Sequence, residues 1–228
     1  MSLVGLDKMS LLDYEDKISC VLFYKACNFR CPFCHNGLTV LEAEDEILFD
    51  AALDYLKSRK GLLDAVVFTG GEPTLEPHLK EHIQKVKELG FLIKLDTNGT
   101  NPNILKDLID SHLLDYVAMD IKNSEAKYPL TVGMKTIDMA KIKESINILM
   151  NSGVPYEFRT TLVHEFHELI DMDELGELIK GSPILFLQKF VERDGCIQKG
   201  LHEVSEEEAN EFKDILLNYV TKVELRGY

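Results

Sequence analysis

Six short apolar runs punctuate the chain, at 18–24, 65–68, 91–95, 116–119, 156–162 and 184–190, each of strand length. Between them the apolar positions recur at helical spacing, over 44–59, 75–89, 104–112, 137–151 and 172–179. One more helical stretch, 206–219, precedes a terminal strand at 223–226. Repeated alternation of strand and helix predicts parallel strands joined by right-handed crossovers, with the helices outside. Gly61, Gly90 and Gly153 fall near predicted helix ends, where left-handed backbone is easiest to accommodate. The expected fold is α/β: a partial (β/α)6 TIM-like barrel with parallel strands, short of the eight units of a complete barrel, its last helix covering an edge. No linker, internal repeat or low-complexity segment interrupts the pattern, so a single domain over 1–228 is expected.

Composition narrows the partners. At 228 residues and 45% hydrophobic content the chain can bury a substantial core. The residues through Leu12 lack a basic segment followed by an apolar run, and no apolar stretch is long enough to span a bilayer. A soluble, cytoplasmic protein with no membrane partner is expected. The 25 Lys and Arg against 39 Asp and Glu give a net charge of −14, which opposes binding to phosphate backbones, so nucleic acid is excluded as a partner class. These charges are spread along helices and read as solvated faces.

Five cysteines are too few for a disulfide scaffold of this length, and Cys27, Cys31 and Cys34 crowd into eight residues, as thiolates around iron or zinc would. Cys20 sits inside an apolar strand and reads as core, whereas Cys196 follows Asp194 and Gly195 in a loop and reads as a free thiol. In parallel α/β folds reactive residues gather where strands end. The polar motifs obey that rule: Cys27 follows the first run, Gly70-Gly71-Glu72-Pro73 the second, Asp96-Thr97-Asn98-Gly99 the third and Met119-Asp120-Ile121-Lys122 the fourth. Arg159 lies within the fifth run and Gln188 within the sixth.

Three cysteines are one fewer than the four that saturate an iron–sulfur cluster, which leaves one iron open to a small molecule. Gly70 and Gly71 allow close backbone approach to such a ligand, and Glu72 can accept a charge-assisted hydrogen bond from an ammonium group. Asp96, Asn98 and Asp120 bring polar groups to adjacent strand ends, and Lys122 can meet a carboxylate as a point charge.

The cysteine spacing, with aromatic Phe33 before the last cysteine, resembles the signature of the radical SAM superfamily, and Gly70 to Pro73 is similar to that family's methionine-binding loop. Cys34-His35-Asn36, Asp96 to Gly99 and Met119 to Lys122 resemble the glycyl radical enzyme activases, particularly the activating proteins of anaerobic ribonucleoside-triphosphate reductase. The resemblance implies a radical SAM oxidoreductase that holds a 4Fe-4S cluster on Cys27, Cys31 and Cys34. It further implies that S-adenosyl-L-methionine is bound by Phe33, Gly70, Gly71, Glu72, Asp96, Asn98, Asp120, Lys122 and Arg159. Reductive cleavage would yield a 5′-deoxyadenosyl radical that takes hydrogen from a glycine of a partner glycyl radical enzyme, under anaerobic conditions. A monovalent cation on Asp96 and Asp120, near Thr97 and the Ala118 carbonyl, is part of the same expectation. The chain lacks cysteines for a second cluster, so flavodoxin or ferredoxin is the expected electron donor.

Other readings stay open on the residues alone. The three thiols with His35 would also suit a closed tetrahedral zinc site, making the chain a non-catalytic metal-binding module. A radical SAM enzyme acting on a small molecule or peptide is the second alternative. Arg159 suits either a ligand carboxylate or ribose, or a structural ion pair with the strand-end aspartates. Alternation puts only one of Gln188 and Lys189 inward. His164 and His167 read as surface groups. The terminal Leu225-Arg226-Gly227-Tyr228 reads as edge-strand composition, with occupation of a cavity by the tail as the alternative.

Overall fold

The computed structural model describes residues 3–37 and 46–228. Eight strands form one sheet in chain order. β1 (Leu3–Ser10) runs antiparallel to β2 (Ser19–Tyr24). From β2 onward every pairing is parallel, through β3 (Ala65–Gly70), β4 (Leu92–Thr97), β5 (Tyr116–Asp120), β6 (Tyr156–Leu162), β7 (Ile184–Lys189) and β8 (Lys222–Arg226). The order is linear with β1 and β8 at the edges, so among the described residues the sheet curves as an open barrel and does not close.

The structure departs from the sequence pattern in several places. The parallel set has seven strands, because the terminal run pairs fully with β7 as β8. β1 was not anticipated, since its inner and outer positions do not alternate: Asp7 to Met9 are all exposed, and the pairing is interrupted by two register shifts. The helix expected over 75–89 starts later, as α2 (Leu79–Glu88), because Pro77 holds Glu76 extended and only a single 3-10 turn (Pro73–Leu75) precedes it.

The remaining helices follow local chemistry. α1 (Phe49–Lys57) starts later than the helix expected over 44–59: Leu48 is extended and Ile47 bridges to Leu3, while 44 and 45 lie outside the described residues. α3 (Pro102–Asp110) begins with proline at its first position, where the missing N–H costs nothing. α4 (Tyr128–Thr131) is a single turn, too short to give a periodic signal. α5 (Met139–Ser152) stops at left-handed Gly153, α6 (Leu169–Leu178) opens with a reciprocal Glu168 and Asp171 capping box, and α7 (Glu206–Leu216) is capped by the Ser205 hydroxyl. Among the described residues no helix is long and apolar enough to cross a membrane.

Two cores result. The outer faces of the strands, including Cys20, Leu22, Phe68, Ile93, Val117 and Phe158, pack against the helices through residues such as Leu56, Ile83, Leu108, Ile146 and Leu175. Cys20 is thus core, as its strand position implied. Inside the barrel, Tyr14, Val21, Ala65 and Val67 form a small apolar cluster with Phe23, Leu92 and Tyr116. The rest of the interior is polar or charged. Glu157, 2% exposed, accepts from both Arg226 Nη atoms at 3.2 and 3.3 Å and from the Tyr116 hydroxyl at 3.2 Å, with Lys94 3.9 Å away. Burying such a carboxylate is tolerable only with this degree of pairing.

The turn out of β3 depends on one glycine. Gly70 has φ +113°, and a Cβ there would lie 2.3 Å from the Tyr24 amide nitrogen. Gly70→Ala combines a disallowed backbone angle with a clash against the neighbouring strand, and a loss of about 2–4 kcal/mol is expected. Urea unfolding checks it: a change within error of zero would mean that β2 and β3 can part at their ends at no cost.

Candidate functional site

The strand ends converge on one cavity of about 360 Å³, within the range of small-molecule sites. Its walls include Cys27, Cys31, Phe33 and Cys34 from the loop after β2, Gly70 and Gly71 after β3, Asp96 and Asn98 from β4, Asp120 and Lys122 from β5, and Arg159 from β6. Of the residues expected to hold the cluster or S-adenosylmethionine, all but Glu72 border it.

The cysteine loop is held from several sides. Ala26, at φ +64°, turns the chain as it leaves β2, and the Glu72 amide donates to the Ala26 carbonyl while the Gly71 amide donates to that of Tyr24. Arg30 Nη1 donates to the carbonyls of Cys27 and Phe29 at 2.6 and 2.7 Å, and its amide donates to Val132. The loop after β7 closes the other side: the Gln198 amide donates to Pro32, and Gly195 sits where a Cβ would lie 2.2 Å from the His35 carbonyl. Cys196, expected as a free loop thiol, is unpaired but buried, 3.9 Å from the Phe33 carbonyl. Phe33 anchors the loop between the rings of Phe166 and Phe190 while still bordering the cavity.

Opposite the thiols stands a chain of charges. Lys122 Nζ donates to Asp120 Oδ2 at 2.9 Å, Arg159 Nε donates to Asp120 Oδ1 at 2.9 Å, and Arg159 Nη1 donates to Asp96 Oδ2 at 3.1 Å. Both sequence readings of Arg159 therefore coexist in one side chain, an ion pair with the strand-end aspartates on a cavity wall. Burial pushes the Asp120 carboxyl up, but Arg159 and then Lys122 outweigh it and hold it down to about 2. Asn98 Nδ2 lies 3.9 Å from Cys27 Sγ and donates to Asn28 Oδ1 at 2.8 Å, joining the β4 loop to the cysteine loop.

Glu72 has a different position from the one expected. It is fully buried, and its carboxylate accepts from the Thr74 amide and hydroxyl, from Thr97 Oγ1 at 2.8 Å and from the Asn98 amide at 2.7 Å. The side chain tethers the β3 loop to the β4 loop beneath the cavity floor. His167 also departs from its reading as a surface group: it is 1% exposed, accepts from the Val163 amide through Nδ1, and places Nε2 2.9 Å from the Lys122 carbonyl. His164 is exposed, as expected. Gln188 is the inward member of its pair and lines the cavity, while Lys189 pairs with Glu203. Tyr228 packs its ring beneath Lys189 and is not among the cavity residues, so the tail does not occupy the site.

Several cavity residues were missed. Thr69 and Thr161 stand two positions from Val67 and Arg159 on inward faces, so strict alternation would have found them. Asp13 also reaches the cavity from the β1–β2 turn, for which the sequence carries no signal.

The donor set fits an iron–sulfur cluster. All three cysteines are unpaired thiols on one cavity wall. Burial pushes Cys27 up to about 11 and Cys31 up to about 12, so the sulfurs are neutral until a metal displaces their protons.

The Asp120 pairing predicts an acid limit. Its folded value lies below the unfolded value of about 3.9, so the contribution is complete above that pH and drains as pH falls toward 2. In cluster-free protein, Asp120→Asn should be less stable than the parent near neutrality, with the gap narrowing below about pH 4. Urea unfolding at stepped pH reads both curves, and parallel curves would remove the carboxylate from the stability of the site.

The model of the radical SAM superfamily matches residues 21–178. A Methanocaldococcus jannaschii protein assigned by name as a glycyl-radical enzyme activating enzyme is 34% identical over 97% of this chain and 94% of its own length. The 7-carboxy-7-deazaguanine synthase of Thermococcus kodakarensis is 31% identical over 58% of this chain, which spans about half (51%) of that relative. Among solved structures, a radical SAM methyltransferase from Sphaerobacter thermophilus superposes with TM-score 0.72 at 16% identity, over 94% of this chain and 68% of its own. SuiB of Streptococcus suis bound to S-adenosylmethionine superposes with TM-score 0.68 at 13% identity, over 91% and 52%. The two structural likenesses speak to the fold, and the family match together with the full-length relative establishes that the chain belongs to the radical SAM superfamily, enzymes that pair a 4Fe-4S cluster with S-adenosylmethionine.

Proposed function

We propose that this enzyme is a glycyl radical enzyme activase: it takes a hydrogen atom from a glycine of a partner enzyme, which we read as an anaerobic ribonucleoside-triphosphate reductase. The observation that carries the proposal is the match to the Methanocaldococcus jannaschii relative, which extends over 97% of this chain and 94% of that protein. We assign the cluster to Cys27, Cys31 and Cys34, and the whole activity to one domain, 1–228. When bound, the cluster supplies one electron to S-adenosylmethionine, and the resulting 5′-deoxyadenosyl radical supplies the hydrogen-abstracting chemistry.

The chain's own residues prepare that chemistry. Gly70 and Gly71 present backbone without side chains, so a ligand can approach the β3 edge closely. Lys122 and Arg159 offer positive charge to a carboxylate, and Asn98 can donate to the sulfur of Cys27. The apolar lower barrel, with Phe23 at the cavity wall, excludes water from the reacting carbon. Electrons would come from flavodoxin or ferredoxin, and the setting would be the cytoplasm, where the five unpaired thiols stay reduced.

The similarity to a deazapurine synthase favours a second reading, a small-molecule substrate in the same cavity. Anaerobic reconstitution with iron and sulfide, followed by dithionite and S-adenosylmethionine, should yield 5′-deoxyadenosine in the parent and none in Cys31→Ala. Equal product in that variant would remove Cys31 from the cluster. Electron paramagnetic resonance then separates the two substrates, because a glycyl radical on an added anaerobic reductase is expected only from an activase.

A further inference from the structure

Asp96 and Asp120 are the carboxylates for which the sequence suggested a monovalent cation, yet nearly every oxygen of that set is already committed. Asp120 Oδ1 accepts from Arg159 and Oδ2 from Lys122, both at 2.9 Å. Asp96 Oδ2 accepts from Arg159 Nη1 at 3.1 Å and from Thr69 Oγ1 at 3.2 Å. Thr97 Oγ1 donates to Glu72 and accepts from the Gly99 amide at 3.2 Å, so it too is turned away. One side-chain oxygen remains, Asp96 Oδ1, which is buried without a hydrogen bond and lies 3.7 Å from Lys94 Nζ.

A desolvated metal ion needs several hard oxygens pointing at one place, and a single carboxylate oxygen facing an ammonium group does not make such a place. Charge gives the same answer. The two carboxylates already meet Arg159, Lys122 and Lys94, the last shared with Glu157 at 3.9 Å. A further cation would be repelled at short range in a poorly solvated cavity.

We infer that Arg159 is the resident cation of this cavity: its guanidinium bridges Asp96 and Asp120 where a metal ion would otherwise sit, and the centre works without Na+ or K+. The planar fork is what permits the bridge, since Nε and Nη1 reach different carboxylates at once, which a lysine ammonium on a flexible stem cannot reproduce with the same geometry. The side chain lines the cavity, and its N–H groups beyond those two bonds can receive the anionic end of a ligand beside Lys122. Identifying that anion as the carboxylate of S-adenosylmethionine rests on the proposed function; the bridging role does not.

The test begins with purified protein held in choline chloride and titrated calorimetrically with NaCl or KCl at constant ionic strength, with thermal unfolding in parallel. No saturable heat and an unchanged Tm are expected. Arg159→Ala uncovers both carboxylates, so saturable cation binding and a Tm raised by Na+ or K+ should appear. Saturable binding in the parent that disappears in Asp96→Asn would overturn the inference, and this pair of titrations decides the matter even if Arg159→Ala fails to fold. In reconstituted protein, Arg159→Gln should weaken S-adenosylmethionine binding by roughly ten- to a hundred-fold. Unchanged binding there would sink the ligand contact and leave the bridge standing, whereas a parent that binds none would count against the proposed function alone.

Discussion

The interior of this barrel depends on how two carboxylates at adjacent strand ends are paired a short distance from buried thiols. Asp96 and Asp120 repel each other and lose hydration, and Arg159 resolves both problems by bonding to one oxygen of each. Lys122 and Lys94 extend the pairing to either side, and Glu157 with Arg226 continues it toward the far strands. Removing one member would strand its partners in a poorly solvated space, so these charges behave as one unit.

A second constraint is the joining of four loops that come from distant parts of the chain. Glu72 binds the β3 loop to the β4 loop, the Asn98 side chain continues to Asn28 in the cysteine loop, and Gln198 reaches back from β7 to Pro32. The thiols are therefore positioned by a rim of backbone and amide hydrogen bonds.

Much of this architecture was legible in the residues because its signals are local. Strand-length apolar runs and helical periodicity placed seven of the eight strands to within a few residues, and Gly61, Gly90 and Gly153 marked left-handed turns that the structure contains. Motifs at strand ends pointed to the same cavity because parallel strands deliver their ends to one side. Not legible were β1, whose buried and exposed positions do not alternate; the delayed start of α2, shifted by Pro77; and the burial of His167, which depends on the Val163 amide and on the Lys122 carbonyl from the loop after β5.

By itself the sequence determined the order of strands and helices, the crowding of three cysteines after β2, and the presence of charged residues at strand ends. Those follow from periodicity and spacing along the chain. Only the tertiary structure decided which polar groups remain free. Glu72, Thr97 and Asp120 look equally available in the sequence, yet two of them are committed to loop tethers and the third to a guanidinium contributed by β6. Hydrogen-bond partners in a barrel are chosen across strands that lie far apart in the chain, and no local pattern records that choice.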